Sequence, residues 1–592
     1  MKHRSERLRA VVVAVSLISI SLLAAGPTAA APGKGPLGNY KHIVVIYEEN
    51  HSFDNLYGLW GDVNGNQLDG LAQADDAHTT QVAQTGVPYT CLKQLDVNLN
   101  TDAAGNTLSK LPGCNPETVT FPDASTTTYT SHFANEPFGI DPYIPADATT
   151  CPRPNQEFSF PNGIKNGALQ ADGVTPVGLP GGCTRDLVHK FYQEQYQLNG
   201  GAQNRYVTGS DSVGTAMGTY DTTQLPIYEY LHANGAPRYV IADRFFQAAF
   251  GGSYLNHQYL IAAQPLLWPG APAGQHAVLD SSGIPHAYPL LKPDRSVIDG
   301  AVTQACGLGT TVAGLACGEW AVNTLQPPWE PQGSFGAAEP ATDDTHVALN
   351  IGDRMSDAGV SWAWYAGGWD NAAGNTTGPG WTNGTGPTCS DPHVSNADKS
   401  YPYCPDSSFQ FHHQPFNYFS RYAPGTADRA AHLLDEVAFL DAAKNGTLPQ
   451  VSFVKPLGNE NEHPGYASEP NGSDHLVDLI KAIETGPEAG NTLIVVTYDE
   501  FGGAWDHVSP PGLGTAGAHD QFGPGTRIPA LLIARSFTSS GVDHTVYDTT
   551  SIMATIEHQF GLAPVAARGA VVPRDSLVAD LGNAVSTGRK GH

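Results

Sequence analysis

Two short stretches of this chain concentrate oxygen donors. Residues 41–58 read KHIVVIYEENHSFDNLYG and residues 492–511 read TLIVVTYDEFGGAWDHVSPP. In each, a tyrosine is followed by two acidic residues: Glu48 and Glu49, then Asn50, in the first, and Asp499 and Glu500 in the second. Carboxylates and an amide oxygen brought to one place make a site for a hard cation. The alternative is a pair of helix N-caps, where acidic residues are favoured by the helix dipole. The matched design of the two turns favours the site. A third stretch, FGGSYLNHQYLIAAQ at 250–264, puts Ser253 after two glycines and before a helix-compatible run. Glycines permit a tight turn, and a helix starting at Ser253 would offer backbone N–H groups to an anion. A serine hydroxyl is a weak nucleophile unless a base or a metal deprotonates it. No G-x-S-x-G elbow is present, so metal activation is the expected route. The plainer alternative is a Gly-Gly-Ser turn with Ser253 as the helix cap.

The chain has 22 histidines, and a few stand in unusual company: His412 and His413 in FQFHHQPFNYF, His463 in NENEHPGYAS and His132 in SHFANEPFGID. Imidazoles converging on one cleft would donate to a phosphate and, when protonated, would offset an acidic surface. Asp506 and His507 close the second acidic turn. They read either as groups that orient the ligands from behind or as caps of the following turn.

Elements must carry these residues to one place. The β-branched runs 43–46 and 493–496 read as buried central strands of a parallel sheet, and open α/β sheets bind ligands at the carboxyl ends of such strands. Further apolar runs at 239–242, 361–365, 451–454 and 529–534 predict more strands. Helices are predicted over 429–444, stopping at Asn445-Gly446; over 474–485 with Ser473 as cap; and over 551–560, stopping at Gly561. The alternation predicts one α/β catalytic domain over 38–585. Segments near 64–130, 265–340 and 374–408, rich in Gly, Pro, Asn and Thr, read as long insertions. No internal repeat is visible.

Composition narrows the partners. The 592 residues carry a formal charge of -27, with 15% charged residues. No basic footprint for nucleic acid exists. The acidic surface repels anions at long range, so a phosphate ligand needs locally concentrated positive charge. Residues 1–30 read as a secretory signal: Lys2, Arg4, Arg7 and Arg9, an apolar stretch at 11–25, then Thr28-Ala29-Ala30; the alternative is a retained membrane anchor. The product is therefore expected outside the cytoplasm: secreted, periplasmic or on the cell surface. The eight cysteines fall in four successive local pairs, 91 and 114, 151 and 183, 306 and 317, 389 and 404. Sequential disulfides are the simplest reading for an exported chain.

The segments EENHSFDNLYG, AFGGSYLNHQYLIAA, FHHQPFNYF, NEHPGYA and YDEFGGAWDHV, in that order, resemble the bacterial phosphoesterase family that joins acid phosphatases to non-haemolytic phospholipases C. The resemblance spans roughly 40–581. It implies an alkaline-phosphatase-like α/β fold: a central mostly parallel sheet flanked by helices, here with loop-rich insertions. It places the nucleophile on Ser253 and metal ligands on Glu49, Asn50, Ser253, Asp499 and Glu500. Glu49, rather than Glu48, matches the motif. It places phosphate-contacting histidines on His412, His413, His463 and His132, with His413 or His463 protonating the leaving alcohol.

Phospholipase-type relatives usually carry a threonine nucleophile in a T-x-P-N-R context. Ser-Tyr-Leu-Asn-His resembles the acid phosphatase branch instead. Glu500 departs from an aspartate expected of close acid phosphatases, which lengthens its reach. Oxygen ligation favours Ca²⁺, Mg²⁺ or Mn²⁺, with Zn²⁺ also used in the superfamily. A mechanism using several imidazolium groups implies a mildly acidic optimum. The expected activity is hydrolysis of phosphate monoesters through a phosphoserine. The alternative is phospholipase C action, which would bring membrane contact and want an apolar rim; Trp320, Trp329, Trp362, Trp364, Trp369 and Trp381 could supply one or could be core. A third reading is a non-catalytic phosphate-binding or surface protein. No C-x-P-x-R motif of sulfatases is present.

Overall fold

The structure, a computed structural model, describes with short gaps residues 35–92, 114–141, 186–334, 349–382 and 409–589. The signal segment, His132 and Cys151, Cys183, Cys389 and Cys404 lie outside the described residues.

Eight strands build one sheet: β1 (His42–Glu48), β2 (Tyr239–Ala242), β3 (Trp362–Ala366), β4 (Leu433–Asp435), β5 (Val451–Lys455), β6 (Thr492–Tyr498), β7 (Ala530–Ile533) and β8 (Gly541–Asp543). Their order is β4-β3-β5-β1-β6-β7-β2-β8. All neighbours run parallel except the two pairings of β7, so β7 alone is reversed. Every residue of β1 and β6 is buried, as expected of strands covered by helices on both faces. The expected mostly parallel α/β sheet is therefore present.

Helices differ from expectation in their starts more than in their ends. The 429–444 stretch is interrupted. A short helix, Ala427–His432, gives way to β4 before the helix Glu436–Asn445. Leu433, Leu434 and Asp435 pair with Trp364, Tyr365 and Ala366 at the sheet edge, and that pairing overrides the helical periodicity. The predicted stop at Gly446 is kept, with φ at 69°. The helix expected from 474 begins at Glu469 and runs to Thr485, so Ser473 is not its cap. The last of the three runs Thr550–Phe560 and ends on Gly561.

Two of the expected sequential disulfides are formed, Cys91–Cys114 and Cys306–Cys317. Trp362, Trp364 and Trp369 are buried in the core, so they form no rim, while Trp320 packs half-buried against it. Among the described residues no helix is long and apolar enough to cross a membrane.

Candidate active site

Register decides which acidic residues meet. β1 and β6 pair with Tyr47 opposite Thr497 and Glu48 opposite Tyr498. The two motifs are thus offset by one residue. Past the strand ends, Glu49 and Asn50 come level with Asp499 and Glu500, while Glu48 has no acidic counterpart. The Asn50 N–H donates to Asp499 Oδ1 at 3.3 Å, and the Glu500 N–H to the same oxygen at 2.8 Å. Asn50 holds a left-handed φ of 65°, which asparagine tolerates better than most residues. These acidic residues are not helix caps. The short helix α1 (Phe53–Leu56) is capped by Ser52, whose hydroxyl accepts from the Asn55 N–H at 3.2 Å.

Ser253 opens helix α2 (Ser253–Ala262), which is buried at all of its positions. Gly252, not Ser253, occupies the cap position. Ser253 lies instead beside Asp499, whose carboxyl its hydroxyl helps hold down against burial, and His257 Nδ1 stands 3.7 Å from Asp499 Oδ2. Gly251 makes the approach possible. Its φ is +89°, and a Cβ there would stand 2.6 Å from the Phe191 amide nitrogen.

Three basic groups that the sequence reading did not single out join the site. Lys455, the last residue of β5 and 1% exposed, lies with Nζ 2.5 Å from Glu49 Oε1 and donates to the Tyr47 carbonyl at 3.0 Å. His257 sits one turn after Ser253 and donates from Nδ1 to the Ser253 carbonyl at 2.8 Å. This i,i+4 spacing from the serine was a signal available in the sequence. His189 lies with Nε2 3.4 Å from Glu500 Oε1, its ring edge against Gly252. Nothing in its sequence neighbourhood marks it.

His412, His413 and His463 do converge here. His413 Nδ1 lies 2.7 Å from Glu49 Oε1, and its ring stacks on His257 with centroids 4.9 Å apart. His412 packs edge-on against His413. His463 is held from both sides. Nδ1 lies 2.8 Å from the Pro464 carbonyl, which requires the proton there, so Nε2 accepts from Asn50 Nδ2 at 2.9 Å.

Asp506 and His507 touch none of these groups. Asp506 takes Arg527 Nε at 3.0 Å and the Asp54 N–H at 3.0 Å. His507 reaches Asp54 Oδ2 at 2.5 Å and Asp69 Oδ1 at 3.2 Å. They fix the start of α1, and so act on Asn50 only through the backbone.

Burial dominates the electrostatics. It lifts the Asp499 carboxyl to about 7 and pushes Glu49 and Glu500 up as well. It drives His257, His413 and His463 well below the usual imidazole range, and His412 down to about 4. Burial thus disfavours the charged form of these four imidazoles.

The residues fit a divalent cation. Glu49 Oε2, Asn50 Oδ1, Asp499 Oδ2 and Glu500 Oε1 are buried and take no hydrogen bond. Three carboxylates face one ammonium, that of Lys455. A dry pocket with this imbalance wants positive charge. Glu49, His257 and His413 also place donor atoms within 4.8 Å of one another.

Comparison with known proteins agrees with this chemistry. The chain is 23% identical over 582 residues to phospholipase C B of Mycobacterium tuberculosis, covering 93% of this chain and 78% of that protein. It is 28% identical over 237 residues to the non-hemolytic phospholipase C of Burkholderia pseudomallei, covering 35% of this chain but only 31% of that protein's length. Among solved structures, a 2-O GAG sulfatase matches at 11% identity over 64% of this chain and 72% of the other, with a TM-score of 0.27, too slight a likeness to argue from. Ser253, His412, His413, His463, Asp499 and Glu500 fall inside the segment that matches a known family, and Glu49 and Asn50 precede it. That segment, residues 163–563, matches the Phosphoesterase family over more than half of the chain, and this protein belongs to that family.

Proposed function

We propose that this protein is an exported, metal-dependent phosphomonoesterase that works through a phosphoserine at Ser253. One observation carries the reading. Ser253 opens a buried helix beside Asp499, in a pocket where Glu49, Asn50, Asp499 and Glu500 each keep one buried oxygen without a hydrogen bond. Glu49, Asn50, Asp499 and Glu500, with Ser253, would hold the ion. A bound divalent cation would neutralise the phosphoryl oxygens and lower the pKa of the serine hydroxyl.

The chain's own residues do the rest. Ser253 attacks phosphorus, and the backbone N–H groups that open α2 face the incoming anion. Lys455 and His413 fix Glu49, and His463 fixes Asn50. His413 and His463 were the expected acids for the leaving group, but His463 has both ring nitrogens engaged and His413 has Nδ1 on Glu49. His412, whose Nδ1 has no hydrogen-bond partner, is the better donor, because an arriving phosphate dianion raises its proton affinity. Water then hydrolyses the phosphoserine. His132, outside the described residues, stays a proposal from resemblance alone.

Two observations favour the monoester. The residue proposed as nucleophile is a serine, and the tryptophans Trp362, Trp364 and Trp369 belong to the core rather than to a lipid-facing rim. The names of the relatives favour phospholipase C as the second reading. The disulfides Cys91–Cys114 and Cys306–Cys317 support export to an oxidising compartment.

Initial rates on p-nitrophenyl phosphate and on phosphatidylcholine vesicles, with and without EDTA, separate the readings. The monoester is expected to turn over at least tenfold faster, EDTA is expected to abolish it, and Ser253→Ala is expected to remove turnover with an unchanged circular dichroism spectrum. Faster release of phosphocholine moves the protein to the phospholipases, and activity in Ser253→Ala removes the nucleophile.

A further inference from the structure

The carboxyl end of β1 has a second side. Side chains alternate along a strand, so Glu48 faces away from the pocket that receives Glu49. Glu48 is fully buried, and neither of its carboxylate oxygens takes a hydrogen bond. The charges that act on it come from Glu462, Lys455, His475 and Glu436. Lys455 is already engaged by Glu49 and the Tyr47 carbonyl. Glu462 accepts from the Tyr498 hydroxyl with one oxygen and leaves Oε1 without a partner.

Beside this pair, Glu436, Glu460 and His475 bring ligand atoms within 4.8 Å of one another. His475 Nε2 lies 2.9 Å from Glu436 Oε1 and 4.0 Å from Glu460 Oε2. Glu436 is 6% exposed, and its Oε2 takes no hydrogen bond. As first residue of the helix Glu436–Asn445 it is favoured by the helix dipole. That accounts for its charge but not for the empty oxygens of Glu48 beside it.

We propose that Glu436, Glu460 and His475, backed by Glu48 and Glu462, form a second divalent-cation site separate from the one at Ser253. Glu48, Glu462 and Glu436 are buried and each keeps a carboxylate oxygen without a hydrogen bond, and buried carboxylates need a partner. The cluster is open on one side, since the side chains of His475 and Glu460 are 20% and 42% exposed, so an ion can enter from solvent. Carboxylates with one imidazole suit Mn²⁺ or Zn²⁺. Without the ion, His475 itself supplies the positive charge. Burial pulls its pKa down, but Glu436, Glu460 and Glu48 outweigh this and hold it at about 9.

The test is Mn²⁺ stoichiometry in the full-length, chelator-stripped protein, read by electron paramagnetic resonance of the free ion. Wild type is expected to bind two equivalents. A Glu436→Gln, His475→Gln double variant should bind one, and Glu49→Gln with Asp499→Asn should bind the other one. An unchanged stoichiometry in the Glu436/His475 variant overturns the proposal. So does a wild-type stoichiometry of one that vanishes with Glu49 and Asp499, an outcome that leaves the Ser253 reading intact. Anomalous scattering from wild-type crystals soaked in Mn²⁺ needs no variant: a peak beside His475 is expected, and its absence refutes the site.

Discussion

Glu49 answers to two kinds of cation. Lys455 holds Oε1 at 2.5 Å and leaves Oε2, without a hydrogen bond, for an ion. Burial raises the Glu49 carboxyl, and the lysine charge pulls it back toward ionisation. Removing one partner of a buried pair leaves an unpaired charge, at a cost of about 3–5 kcal/mol. Lys455→Met keeps most of the apolar stem and deletes the ammonium. Its loss of stability is expected to be of that size in EDTA and clearly smaller in saturating Mn²⁺, because the ion then supplies the missing charge. Urea denaturation in both conditions measures this. Equal losses in the two would mean that Lys455 and the ion do not share Glu49.

At the scale of elements, the site depends on two turns that lock into each other. Gly502 has φ +60°, and a Cβ there would stand 2.2 Å from the Asn50 carbonyl oxygen, a backbone atom that no rotamer change can move. Gly502→Ala should therefore displace Asn50, weaken Mn²⁺ binding at the Ser253 site at least tenfold, and cost about 1–3 kcal/mol of stability through backbone strain. Normal metal binding in this variant would show that the turns are not coupled. The same elements explain what the sequence could and could not disclose. Runs such as 43–46 and 493–496 are short, β-branched and apolar, so the strands were legible. Their relative register was not, and it is register that retires Glu48 and pairs Glu49 with Asp499. Lys455 was missed because a lysine ending an apolar run ordinarily reaches solvent, and Glu49 with the Tyr47 carbonyl keeps this one inside. β4 was missed because Leu433-Leu434 fits a helix face as well as a strand, and only the exposed edge of Trp362–Ala366 decides between them.

The whole molecule brings residues more than four hundred positions apart into one pocket, so something must tie the ends of the chain. The Arg527 guanidinium does this. It binds Asp54 Oδ1 at 2.9 Å, Asp506 Oδ1 at 3.0 Å and the Asp243 carbonyl at 2.9 Å, joining the segment after β1 to those after β6 and β2. His507 completes the network between Asp54 and Asp69. Burial disfavours its charge, but Asp54 and Asp69 outweigh this and raise it to about 9, from an ordinary value of 6.5. A raised folded-state pKa stabilises in full below the unfolded value, and the benefit fades as pH climbs through the folded one. The His507 contribution is thus complete below pH 6.5 and largely gone above 9, a difference of about 3 kcal/mol in order of magnitude. His507→Gln should therefore be markedly less stable than wild type at pH 6, with the gap narrowing steadily toward pH 9. Paired urea titrations across that range, in EDTA to keep metal binding out of the measurement, read the gap directly. A gap that stays constant with pH would show that folding leaves the His507 pKa unshifted and that its pairing with Asp54 and Asp69 adds no stability.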